Sequence, residues 1–194
     1  MIKSISTILI GILLSSCLKQ SENAAVNYFN LDSMLVAQKT HLLENNMQLD
    51  KWAFVDEDTA QNTYTPDSIG WKDELAFFNK MNINKPVLQG VYTESVENDA
   101  NSNLKVKSFI PAPGADVEVQ YLKLYYLNEL SNLKKMEALY RENNPIYKSQ
   151  REFTLFFEER SGAAVIDKFL VEGSQKMILK DSVKFKIEGQ IINP

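Results

Sequence analysis

"NELSNLKKMEALYRE", residues 128–142, is the stretch whose reading decides the fold. Leu130, Leu133 and Leu139 stand at spacings that a helix accepts, and a helix here would split the second half of the chain. Met136, Ala138 and Tyr140, however, alternate with Lys135, Glu137 and Leu139, and a period of two marks a strand with one buried face. Upstream, "VEVQYLKLYYL" (residues 117–127) is long, aromatic and β-branched. Downstream, "ENNP" turns the chain into "IYKSQREFTLFFEE" (residues 146–159), a run of strand-forming residues. Both flanks agree with the alternation, so the stretch reads as a strand within a long up-and-down run.

Working outward, the same pattern continues. "RSG" (160–162) is a turn, "AVIDKFLVEG" (164–173) and "SVKFKIEGQI" (182–191) are strands, and "SQKMILKD" (174–181) links them. Before the decisive stretch, "VLQGVYTESV" (87–96) and "LKVKSFI" (104–110) alternate around the hairpin loop "ENDANSN". "PAPGAD" (111–116) is a turn by its residue chemistry. Short connections between strands predict antiparallel pairing.

The segment before Pro86 is different. Asn30 is placed to cap a helix over 31–44, with Leu31, Met34, Leu35 and Leu42 on one face and Asp32 in the favourable first turn. "MQLDKWAFV" (47–55) reads as a strand and "DEDTAQNTY" (56–64) as a polar loop. "TPDS" (65–68) then opens a second helix, with Thr65 as cap, Pro66 at the first helical position and Trp71, Leu75 and Phe78 at helical spacing. The expected architecture is α+β: two N-terminal helices packed on the concave, apolar face of a curved antiparallel sheet. About seven strands should follow Pro86, as an open half-barrel within one domain over residues 28–194. In element order this is similar to the periplasmic lipoprotein carriers and related envelope sensors.

Composition agrees with a single domain. The 194 residues are 44% apolar and 24% charged, enough to build a core. The net charge of −4 leaves no basic footprint for nucleic acid, and the densest basic patch, residues 132–141, is interrupted by Glu137.

The N-terminus carries an address. Residues 1–16, "MIKSISTILIGILLSS", combine a positive start at Lys3, an apolar run over residues 5–14, and the small pair Ser15-Ser16. The apolar run is shorter than the roughly 20 residues of a membrane span. Leu14-Ser15-Ser16-Cys17 resembles the lipobox of bacterial lipoprotein precursors, although Ser16 stands where Gly or Ala is more usual. That resemblance implies cleavage between Ser16 and Cys17 and lipidation of Cys17 by fatty-acyl chains. Residues 17–27 would then be a polar tether from the membrane to the fold. With its net charge acidic, the domain is not expected to be drawn to anionic headgroups, so the lipid on Cys17 is the membrane contact. Together with residues 121–130, 143–159 and 172–191, the lipobox also resembles Bacteroidota envelope lipoproteins of unassigned activity.

Few residues carry chemistry. His41 is the sole histidine, beside the apolar face of the first helix with Glu44 one turn on, and reads as structural. Asp56 and Asp58 begin as a calcium loop begins, but Ala60, Gln61 and Asp67 stand where ligands or glycine are required. Ser131 and Lys134 match S-x-x-K without its companion motifs. No catalytic residue, metal or cofactor is expected. Tyr121, Tyr125, Tyr126, Phe153, Phe156 and Phe157 are candidates for a ligand groove, although sheet core and cross-strand pairs account for them as well. Four Asp-Ser/Thr-apolar triplets, at Asp32, Asp58, Asp67 and Asp181, look like the O-glycosylation acceptors of Bacteroidota envelope proteins. Thr59, in the polar stretch, is the best candidate.

The functional expectation is a membrane-anchored lipoprotein of the bacterial envelope, at the outer membrane, presenting a β-rich binding domain. Its partner would be an envelope protein, a peptide or an amphiphile. The alternatives are an envelope hydrolase working through carboxylates and a purely structural envelope component. Two inward carboxylates with raised pKa would mark the hydrolase. An apolar groove would mark the binder.

Overall fold

A computed structural model describes residues 28–193; Ser16, Cys17 and the tether through residue 27 lie outside the described residues. Helix α1 spans Leu31–Glu44 and is capped as its sequence predicts, the Asn30 side chain accepting from Ser33 N–H at 3.0 Å. Leu31, Leu35, Gln38 and Leu42 form its buried stripe. The helix ends where Asn45 turns its amide back on the His41 carbonyl at 2.8 Å and Asn46 adopts a left-handed φ of 50°. His41 is half-buried in that last turn.

Strands β1 (Gln48–Val55) and β2 (Asp58–Tyr64) form a hairpin, so the expected polar loop over 56–64 is instead a two-residue turn and an edge strand. Asp56 takes the positive φ of 52° and accepts Lys184 N–H at 2.8 Å. β2 escaped the pattern reading because nearly all its side chains are exposed, so neither face is marked by apolar residues. Helix α2 is Ser68–Ala76, and its cap is Asp67 rather than Thr65. The Asp67 carboxylate accepts both Ile69 and Gly70 N–H, at 3.0 and 2.7 Å, which leaves Pro66 ahead of the helix. Phe77–Met81 and Pro86–Leu88 are 3-10 turns; the expected strand over 87–96 is thus partly a turn, and β3 starts only at Tyr92 (Tyr92–Asn98).

The rest is an up-and-down run: β4 (Lys105–Pro111), β5 (Val119–Tyr126), β6 (Leu133–Asn143), β7 (Tyr147–Arg160), β8 (Ala163–Met177) and β9 (Ser182–Ile192). The decisive stretch is therefore a strand from Leu133 onward, paired with β5 and β7 on its two sides, while residues 128–132 form the β5–β6 turn, with Asn128 at a left-handed φ of 61°. All pairings are antiparallel, in the order β2-β1-β9-β8-β7-β6-β5-β4-β3, with β2 and β3 as free edges. Nine strands rather than about seven result, because β1 joins the same sheet beside β9 and β2 adds to it. The sheet does not close into a barrel, and the chain passes from one edge to the other between β2 and β3 by way of α2 and the 3-10 turns.

That crossing lays helix over one face and creates the core. Trp71, Phe78, Met81 and Ile83 from the crossing segment are fully enclosed with Leu42, Leu122, Met136 and Leu155. The Phe78 ring meets Phe169 and Phe153 edge-on at 5.5 and 6.1 Å. Phe169 reaches this position because its partner across the strands is Gly189: a Cβ there would stand 2.2 Å from the ring. Gln38 docks α1 onto β8, donating to Ala164 O at 2.8 Å and accepting Ile166 N–H at 2.7 Å. Glu74 of α2 binds Lys51 of β1 at 2.6 Å and accepts Tyr64 O–H of β2 at 2.6 Å, tying the helix to the sheet's free edge.

Candidate functional site

Alternation along a strand assigns its side chains to two faces. In β8, Val171, Gln175 and Met177 point to the face that carries the helices, as do Val183 and Ile187 in β9, and Ala53 and Val55 in β1. β7 and β8 are 14 and 15 residues long, and the crossing segment covers only part of that length. The uncovered end is a groove of about 480 Å³, with Phe77 as its wall toward the helices. Val55, Phe77, Met177 and Val183 are exposed there, although they belong to the same face as the core.

The groove has a polar margin. Arg151 lines it from β7, and its Nε is enclosed without a hydrogen-bond partner among the described residues. Lys180 and Asp181 stand at the opposite end, in the β8–β9 turn. Near Arg151, Glu142 accepts Tyr140 O–H at 3.0 Å and also accepts Tyr147 O–H. The bond from Tyr147 holds the Glu142 carboxyl below the usual carboxylate range. Its ionised form is the stable one, which suits a fixed charge and opposes the proton-donor role a glycosidase acid requires.

Glu142 also lines a second, polar cleft of about 580 Å³, together with Lys85, Asp116, Glu118 and Arg141. Asp50 and Glu188 are likewise held low, Asp50 chiefly by Thr63 O–H and Glu188 chiefly by Lys168. Among the described residues, no group of three or more His, Cys, Asp or Glu is arranged to hold a metal ion. The apolar groove offers burial to an occupant, with Arg151, Lys180 and Asp181 as its charged groups.

The sequence candidates are scattered differently. Tyr126, Phe153 and Phe157 are core residues. Tyr121 and Tyr125 lie on the opposite face, where Tyr125 O–H donates to Glu137 at 2.8 Å and Lys135 sits 3.9 Å from its ring centroid. None of the six aromatic candidates lines the groove. Thr59 is exposed on edge strand β2, opposite Phe54 of β1. Asp56 lies in the two-residue hairpin turn and Asp58 opens β2, a hairpin in place of the calcium-loop pattern. Ser131 lies in the β5–β6 turn, while Lys134 is on β6.

The groove residues escaped notice because "SQKMILKD" reads as a linker, whereas β8 runs on through Met177. The alternation of Val183, Phe185 and Ile187 was visible, but a strand pattern does not reveal whether anything covers its apolar face. No helix among the described residues is long and apolar enough to cross a membrane. No protein-family model matches this chain, and no curated protein or solved structure matches it either. By its fold the chain is a β-rich α+β domain, with helices on one face of an open antiparallel sheet.

Proposed function

We propose that the chain is a bacterial envelope lipoprotein, anchored at the outer membrane through lipid on Cys17, whose domain binds an apolar or amphiphilic ligand in the open groove. The observation that carries the binding role is the groove itself. Its lining continues the core face of the sheet, yet Val55, Met177 and Val183 remain exposed. Apolar surface that adjoins a core and stays uncovered is the usual mark of a ligand site. Arg151 at the margin favours an occupant with an anionic end. The anchor rests on the lipobox resemblance of Leu14-Ser15-Ser16-Cys17. Thr59 is the proposed O-glycan acceptor on β2, and an unmodified Thr59 peptide from native protein would rule it out.

Two experiments test the proposal separately. Metabolic acyl labelling should be lost in Cys17→Ala; labelling that persists refutes the anchor. Titration with an environment-sensitive fluorescent fatty acid should show saturable binding that falls at least about tenfold in Val183→Glu, because the variant places a charge in the groove. Equal binding by both proteins refutes the groove.

A further inference from the structure

Two hairpin turns of the sheet end side by side. The β8–β9 turn is fastened to the β6–β7 turn by Ile178 N–H, which donates to Ile146 O at 2.9 Å. Asn144 stiffens the second turn by accepting Ile146 and Tyr147 N–H at 3.0 and 2.9 Å. Together they form an apex that presents Ile146, Ile178 and Leu179, exposed to 65%, 63% and 98%. Single exposed apolar residues are ordinary on a protein surface, but a cluster at a protruding apex is an interaction feature. Leu179 also has a left-handed φ of 61°, a region that favours glycine or asparagine. Neither packing nor backbone preference selects a leucine there.

The charges around the apex are equally specific. Lys148, Lys176, Lys180 and Lys184 are exposed in or beside these turns. Lys148 and Lys176 are direct cross-strand partners, an arrangement in which like charges oppose pairing. The carboxylates close by are Asp181, in the turn, Asp56, which accepts the Lys184 N–H and is followed by Glu57 and Asp58 in the β1–β2 hairpin, and Glu142, which accepts the Tyr147 O–H. Within the two turns and their flanking cross-strand pair, however, Lys148, Lys176 and Lys180 stand against Asp181 alone, so the tip itself is cationic in a chain of net charge −4. Strand alternation puts Lys148, Lys176 and Lys184 on the convex side, while Met177 and Val183 face the groove.

We infer that this apex docks on an anionic phospholipid bilayer, with Ile146, Ile178 and Leu179 entering the headgroup–acyl boundary and the lysines meeting the lipid charge. An apolar tip bordered by cations is the pattern such an interface selects. A second copy is a poor occupant, because it would bring the same lysines face to face. The inference does not depend on what the groove binds. It does give the groove a consequence: Met177, Lys180 and Val183 line the groove at its apex end, so an occupant could pass between bilayer and groove.

The test uses the full chain in a Cys17→Ser background, so that acylation plays no part. A nitroxide attached through Leu179→Cys reports the surroundings of the apex, whatever other segment touches the vesicle. On vesicles of phosphatidylcholine with phosphatidylglycerol, the label should become accessible to oxygen and shielded from a water-soluble relaxation agent. High salt should weaken the effect, as should omission of phosphatidylglycerol. The exposed double variant Lys148→Glu/Lys176→Glu should reduce the population in contact with lipid at least about tenfold. An aqueous signature on the anionic vesicles overturns the inference. So does spin–spin broadening that is independent of lipid, which would assign the apex to self-association. Lipid contact that ignores salt and both lysines also overturns it, since the charged border would then have no role.

Discussion

The two halves of the concave face have similar residues and opposite fates. Where α2 and the 3-10 turns cross, Phe78, Met81 and Ile83 seal Phe153, Leu155 and Phe169 from water. Beyond Phe77 the same face of the sheet continues with Met177 of β8 and with Val183, Phe185 and Ile187 of β9, and the groove stays open. The difference lies in coverage rather than in strand composition: one crossing segment spans part of a longer sheet. The covered half supplies stability, and the bare half is free to bind.

The largest expected effect is in the covered half. Phe78→Ala should destabilise the domain by about 3–5 kcal/mol in urea unfolding, since it empties the space between two edge-on rings. A loss below about 1 kcal/mol would mean that the crossing segment is not the seal described here. Gly173→Ala comes next, at about 1–3 kcal/mol, because its Cβ would lie 2.1 Å from the Gln150 carbonyl oxygen, which belongs to the backbone. Gln38→Leu should cost about 1–3 kcal/mol, since Ala164 O and Ile166 N–H lose their partner under α1. By contrast, Val183→Ser in the bare half should change stability by no more than about 0.5 kcal/mol, while weakening acyl-probe binding. A large stability loss there would erase the distinction between the halves.

The pH dependence gives a subtler contrast. Burial pushes the Tyr92 phenol up to about 12, and Tyr92 O–H donates to Val119 O at 2.9 Å. Burial and then Glu74 push Tyr64 up as well. A raised folded-state pKa means that the native state holds its proton more tightly than the unfolded chain does. This contribution is complete below the unfolded value of about 10 and is lost as the pH rises through the folded one. Unfolding midpoints measured from pH 9 to 12 should therefore decline above about pH 10. Tyr92→Phe should flatten the decline, and Val183→Ser should leave its shape unchanged.

Much of the fold was legible in the sequence. The Asn30 cap, the α1 stripe and the alternation of Met136, Ala138 and Tyr140 are local signals, and each names its own element. The failures were also local in origin. β2 lacks an apolar face, Asp67 competed with Thr65 for one cap, and Pro86 begins a 3-10 turn rather than a strand. The site was less legible: the aromatic residues that suggested a groove went to the core or to the opposite face, while the groove formed on smaller aliphatic residues.

By itself, the sequence determined the cap of α1 and the periodicity and apolar face of strands β4 to β9, because these depend on neighbours a few residues apart. Only the tertiary structure decided that β1 would join β9, that the crossing segment would leave the sheet bare beyond Phe77, and that Ile146 would meet Ile178 and Leu179 at one apex. Coverage and clustering depend on residues far apart in the chain. No period in the sequence records them.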